Sequence, residues 1–262
     1  MKTVIIGSGN IATHIGKAFL HNGFEVVQVI SRNKNHAKVL AEKLNCEAET
    51  DFNKIEKAAI YLITVNDSEI ENVVKKLNKL VAAEISTTAQ KPLLMHTAAS
   101  VSINVLANEK WDSGILYPLQ SLKKEMDADL KNVPFIISGK SKLIKEIAKS
   151  ISNNVIEMND EQRLALHVSA VFVNNFTNHL IAIAQEICEA EKIEFKLLQP
   201  LLKETFERLE KMPAAESQTG PAIRGDENTI QNHLRFFTNP NFKKVYRELT
   251  LSIQQNARFN SK

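Results

Sequence analysis

The sequence has 262 residues, 44% hydrophobic, 24% charged and 6% aromatic, the profile of a globular chain long enough for one large domain or two modest ones. Its 33 Lys and Arg against 30 Asp and Glu leave a net charge of +3, which argues against a nucleic acid or a membrane surface as partner. Two cysteines, Cys46 and Cys188, exclude a disulfide scaffold and a cysteine-rich zinc site and read as reduced thiols of a cytoplasmic protein. No apolar run approaches the ~20 residues needed to span a bilayer. The opening MKTVIIGSGN reaches glycine too early for a secretory signal.

In chain order, short apolar runs alternate with amphipathic stretches up to about residue 158. The runs are TVIIG (3–7), EVVQVI (25–30), AAIYLITV (58–65), PLLMH (92–96), GILYP (114–118), PFIIS (134–138) and NVIEM (154–158). Several lack alternation, as in parallel strands covered on both faces. Helical spacing fills residues 10–22, 35–44, 68–80 and 141–152, and Ser68 followed by Glu71 resembles a capping box. Beyond residue 160 the strand pattern stops. Residues 161–192 contain no Gly or Pro and predict one unbroken helix. A helix from Pro200 to about 211, a loop over 212–226 and helices over 227–237 and 241–257 complete the chain. The expected fold is α/β: a doubly wound Rossmann domain over 1–159, followed by an all-α domain over 160–262.

Gly7-Ser8-Gly9-Asn10-Ile11-Ala12 lies between the first strand and the first helix. This is a GxGxxA dinucleotide fingerprint in its required setting. The first glycine permits a tight turn, the second lets backbone approach a pyrophosphate, and free N–H groups at the helix start face the anion. An acid at the end of the second strand would select NAD. Ser31 and Arg32 stand there instead, a hydroxyl and a planar cation suited to a 2′-phosphate, which favours NADP over NAD. Thr64 and Val65 close the third apolar run and His96 the fourth. Ligands of open α/β sheets sit outside such strand ends, so these three join the cofactor candidates. Asp67 reads as a helix cap.

Within 161–192, an ideal α-helix advances 100° per residue. That places His167, Asn174 and Asn178 on one stripe, whereas Asn175 and His179 point elsewhere. Asparagine disfavours helix interiors, so its presence argues either for a use or for a seam of mutually bonded amides. Histidine can pass a proton near neutral pH and an amide can orient a carbonyl or imine. In TGPAIRGD (219–226), Arg224 sits among small residues where a guanidinium could meet an acidic group or an internal acid, and Asp226 reads as the next cap. No HExxH, HxxxH or GxSxG pattern supports zinc catalysis or a nucleophilic serine.

The segments GSGNIATHIG (7–16), HTAAS (96–100), YPLQS (117–121), HVSAVFVNNFTNHL (167–180) and TGPAIRGD (219–226) resemble a family of NADP oxidoreductases. Its members join a Rossmann-like domain to a helical domain of unknown function, and some are related to deazaflavin-dependent NADP oxidoreductases. Domain order is also similar to the β-hydroxyacid dehydrogenase and pyrroline-carboxylate reductase superfamily. That resemblance implies a homodimer formed through the helical domain. It also implies a cleft lined by Tyr117, Gln120, His167 and Asn174, and Ser100 and Arg224 join Tyr117 and Gln120 as substrate-binding candidates. One departure stands out: Val171 fills the place, one turn after His167, where many β-hydroxyacid dehydrogenases carry the asparagine of a lysine–asparagine pair. The expected activity is NADPH-dependent reduction of a carbonyl or imine on a small, acidic substrate, with His167, Asn174 and Asn178 catalytic. The alternatives are a non-catalytic NADP-binding sensor or scaffold, and an NADP:deazaflavin or flavin oxidoreductase.

Overall fold

The computed structural model describes residues 1–84 and 91–260. Its contacts divide the chain into two compact units, 1–175 and 176–262.

The first unit is built on a sheet of eight strands in the order β3-β2-β1-β4-β5-β6-β7-β8. These are β1 (Lys2–Ile6), β2 (Glu25–Ile30), β3 (Glu47–Glu49), β4 (Ile60–Ile63), β5 (Leu93–His96), β6 (Asp112–Pro118), β7 (Phe135–Ser138) and β8 (Val155–Glu157). All pairings are parallel except β6 with β7. Helices α1 (Asn10–His21), α2 (Lys34–Leu44), α3 (Asp67–Glu84) and α4 (Lys142–Ile151) cover it. Alternation on each strand separates two cores. Ile5, Val29, Leu62, Met95 and Leu116 face one side, and Val4, Ile6, Tyr61, Ile63 and Leu94 face the other.

The seven apolar runs are all strands. The eighth, β3, reads EAE and has no apolar pattern; it pairs with β2 at the sheet edge, and its Ala48 packs on the core. Helix α3 starts at Asp67 rather than Ser68, with Asn66 accepting from the Glu69 N–H, so Ser68 lies inside the first turn and the expected capping box does not form.

The long helix is not uniform. Helix α5 (Asp160–Ala170) runs into a π-helical segment (Val171–Phe176), and α6 (Thr177–Ala190) follows. A π turn holds more residues than an α turn, so the 100° spacing that aligned Asn174 and Asn178 with His167 does not hold through it. Valines and asparagines, weak α-helix formers, occupy the segment. No helix among the described residues is long and apolar enough to cross a membrane.

Arg163 fastens α5 to the sheet. Its side chain is fully buried. The guanidinium donates to the carbonyls of Ala99 (3.0 Å) and Val101 (2.8 Å), the Ser138 hydroxyl (3.0 Å) and Asp160 (2.7 Å). Burial alone would push the Asp160 carboxyl up, but Ser102 and Arg163 outweigh it and hold it below the usual range. One turn away Leu166 packs with Ala99, Ile115 and Tyr117. The start of the helix therefore belongs with the sheet.

The second unit is helical: α6, α7 (Gln199–Leu209), short α8 (Ala214–Ser217) and α9 (Pro221–Arg224), α10 (Glu227–Phe236) and α11 (Pro240–Asn260). The stretch expected as loop thus contains two single-turn helices, the second begun by Pro221 and closed by Gly225. Asp226 caps α10 through the Thr229 N–H, as its position suggested.

Replacing Arg163 by Met would take a charged donor from Asp160 and from the carbonyls of Ala99 and Val101. Arg163→Met is expected to lose about 3 kcal/mol of stability, measured by urea unfolding. A loss below about 1 kcal/mol would deny the guanidinium its anchoring role.

Candidate functional site

The carboxyl ends of β1, β4, β5 and β6 meet at one edge of the sheet, and the order reverses between β1 and β4, the position where open α/β sheets take ligands. The glycine turn lies there. Gly7 has φ +124°, and an added Cβ would come 2.4 Å from the Thr64 hydroxyl. Its N–H donates to Ile30 at 2.7 Å, and the Thr64 N–H and hydroxyl both reach Ile6. Gly7 is therefore required by the fold.

Gly9 is different. Its backbone (φ −87°) suits any residue, and a Cβ placed there meets nothing within 4 Å. It is the N-cap of α1, where no side chain caps and no acid occupies the first turn. By contrast, α2, α5 and α10 are capped by Asn33, Asn159 and Asp226. Bare amides, the positive end of a helix and open space in front of a glycine fit a diphosphate. The residues present therefore fit a dinucleotide. Ala12 is fully buried beside Ile5 and Ile15, while Ile11 packs on that core from its edge. The Asn10 side chain accepts from the Lys124 N–H (3.2 Å), and a ring nitrogen of His14 bonds the Lys123 carbonyl (3.0 Å). These contacts tie the chain after β6 to α1.

At the end of β2, the Ser8 hydroxyl donates to Ser31 at 2.8 Å. Arg32 is exposed and lies 3.5 Å from Glu69 in the first turn of α3. Both candidates thus flank the glycine turn.

Toward β5 and β6 the geometry brings together residues that sequence spacing could not. The Tyr117 hydroxyl and His167 Nδ1 share a hydrogen bond at 3.1 Å, their rings edge to face. Burial, then the Asp67 charge, pushes the Tyr117 phenol up, so it stays neutral at physiological pH. Ser100 donates to Asp67, which engages the next strand's loop instead of capping α3. Gln120 is exposed and bonds its neighbour's N–H, Ser121. Val65 packs at the margin of the second core.

His96, read at the end of β5 either as a strand-end histidine or as a ligand contact, is fully buried. Its Nδ1 accepts from the Ala98 N–H at 3.2 Å, and no hydrogen bond of good geometry reaches its Nε2 among the described residues. Burial, aided by the Arg163 charge, lowers its pKa to about 4. Arg163 itself escaped sequence reading, because a charged residue in an amphipathic helix looks like a solvated one.

Asn174, in the π segment, is exposed, as is Asn175. Asn178 in α6 and Arg224 at the end of α9 are exposed on the second unit, and no ion pair of Arg224 occurs among the described residues.

Comparison with known proteins agrees with this fold. The family described as NADP oxidoreductase, coenzyme F420-dependent, matches residues 2–90, and a domain of unknown function, DUF2520, matches 133–253. A Bacteroides fragilis protein provisionally designated an NADP oxidoreductase is 36% identical. The match covers 97% of this chain and 98% of that one, with a TM-score of 0.86. An imine reductase of Myxococcus stipitatus, solved in complex with NADP+, shares the fold at 18% identity, 98% and 93% coverage and a TM-score of 0.60. A pyrroline-5-carboxylate reductase of Coxiella burnetii does so at 16%, 99% and 98%, and 0.54. No curated protein matches the chain.

His96 makes stability depend on acid. Its folded pKa of about 4 lies below the ordinary 6.5, so its contribution is present above pH 6.5 and is lost as pH falls toward 4. The loss is on the order of 3 kcal/mol. His96→Asn keeps an acceptor for Ala98 without the titration. Urea unfolding should show the variant losing less stability than wild type between pH 7 and 4; equal losses would refute the assignment.

Proposed function

The chain belongs to the NADP oxidoreductase family that joins this nucleotide-binding domain to DUF2520, and on that premise we propose an NADPH-dependent reductase of a small carbonyl or imine compound. The observation that carries the proposal is the uncapped start of α1 with open space before Gly9. Gly7, Ser8, Gly9, Asn10, Ile11 and Ala12 would hold the diphosphate against backbone amides. Ser31 and Arg32 would take the 2′-phosphate, favouring NADPH over NADH. Thr64 and Val65 would line the strand ends beside it. When bound, NADPH supplies the hydride for reduction.

The chain's own part is the proton. Tyr117 is nearly buried and His167 half-exposed, so the histidine is the member of the pair that meets substrate. Tyr117 holds Nδ1, which leaves Nε2 directed outward to donate a proton to the atom that becomes an alcohol oxygen or amine nitrogen. Tyr117 is thus a positioning residue, and its raised pKa keeps it a neutral partner whichever form the imidazole takes. Ser100 and Gln120 line the same edge. Asn174 and Asn178 would orient the polarised atom, and Arg224 would anchor an acidic substituent, which gives the substrate its expected charge.

A homodimer is the expected assembly. The helical unit exposes Leu201 and Phe206 on an apolar groove of about 410 Å³ also lined by Leu180, Ile181 and Leu198, surface that a partner subunit would cover. A second reading, hydride exchange between NADP and a deazaflavin, is favoured by the F420 description of the family matching residues 2–90. Offering a deazaflavin as the acceptor for NADPH oxidation separates the two.

Gly9→Ala should leave the melting temperature unchanged and weaken NADPH binding at least about tenfold, because the new methyl occupies the diphosphate's approach. Unchanged binding in titration calorimetry would remove the cofactor assignment. Against a panel of imines and ketones, His167→Ala should lower kcat by about 10²–10⁴ with NADPH affinity intact. Tyr117→Phe should cost less and alter the imidazole tautomer signals of His167 in NMR spectra. A His167→Ala protein as active as wild type would exclude this proton donor.

A further inference from the structure

We infer that Glu69, at the start of α3, tunes the preference for NADPH over NADH by competing with the 2′-phosphate for Arg32. The inference rests on the dinucleotide binding proposed above and adds to it a residue that lies outside both the glycine turn and β2. By sequence, the end of β2 lacks the acid that reads a ribose. In the fold, an acid arrives there from another element: Glu69 Oε2 lies 3.5 Å from Arg32 Nη1. Strands β2, β1 and β4 are adjacent, and Arg32 follows β2 while Glu69 follows β4. The ion pair therefore joins the segments on either side of the glycine turn that follows β1.

The two partners are not equivalent. The Arg32 side chain is 76% exposed and that of Glu69 only 34%. Glu69 also sits in the first turn of α3, where a helix dipole favours a carboxylate. The acid is the held member and the guanidinium the one that can turn to a ligand. Ser31 already accepts from Ser8; of the two cations after β2, Arg32 and Lys34, Arg32 is the one that pairs with an acid among the described residues. A 2′-phosphate must draw the fork away from Glu69 and then lie beside a like charge. A 2′-hydroxyl meets no such opposition, since a carboxylate is the usual acceptor for it. Glu69 thus weakens NADPH binding and leaves NADH binding untouched or assisted.

The test is binding of NADPH and NADH by titration calorimetry to wild type, Glu69→Gln, Arg32→Gln and the double variant, with thermal unfolding to verify that each is folded. Glu69→Gln should tighten NADPH about fivefold, the upper range for releasing an exposed ion pair, with NADH unchanged or weaker. In the Arg32→Gln background the same substitution should bring no gain for NADPH, because the competition is for Arg32. If Glu69→Gln leaves the ratio of the two affinities unchanged, or helps NADPH equally without Arg32, this inference falls while the dinucleotide reading stands. If wild type binds neither dinucleotide, the functional proposal fails and this inference fails with it.

Discussion

A guanidinium loses its hydration when a protein closes around it, and it is tolerated there only if other oxygen atoms replace the water. Arg163 meets that requirement with two carbonyls from the chain after β5, a hydroxyl from β7 and the acid at its own helix start. Because the four acceptors come from three separate segments, satisfying one cation fixes the position of α5 on the sheet and its rotation about its axis. His167 is one turn further along, and the rotation set by Arg163 turns it to Tyr117. The positive charge has a second consequence nearby: together with burial it keeps His96 neutral, so the region under the site carries one cation where it could have carried two.

The edge of the sheet divides its labour by chemistry. On the β1–β2 side the groups are amides, small residues and an arginine, all suited to hold phosphate. On the β5–β6 side they are a phenol, an imidazole and a hydroxyl–carboxylate pair, suited to move or orient protons. The contrast between Gly7 and Gly9 separates architecture from function within three residues: a side chain at the first collides with Thr64, and at the second it would collide only with something the protein binds.

Much of the first unit was legible before its structure. Seven of the eight strands announce themselves as short apolar runs, those of the sheet interior because a strand buried on both faces needs a continuous one. The glycine turn is readable because its constraints are local: a tight turn, then a helix start, within six consecutive residues. The strand β3 was not legible, since a short edge strand is held by backbone hydrogen bonds, and its sequence EAE carries no trace of them. His96 was left open between two readings for a related reason. A strand-end position says that a residue is near the edge but not whether the next loop folds over it.

What the sequence by itself determined is therefore the succession of strands and helices and the phosphate-facing turn, because each follows from the periodicity or sterics of neighbours along the chain. Only the tertiary structure decided that Arg163 is buried, that His167 meets Tyr117 across fifty positions of sequence, that Glu69 reaches Arg32, and that a π turn breaks the phase of the asparagine stripe. Those relations depend on which distant groups arrive to satisfy a charge or fill a void, and no local pattern of residues encodes such an arrival.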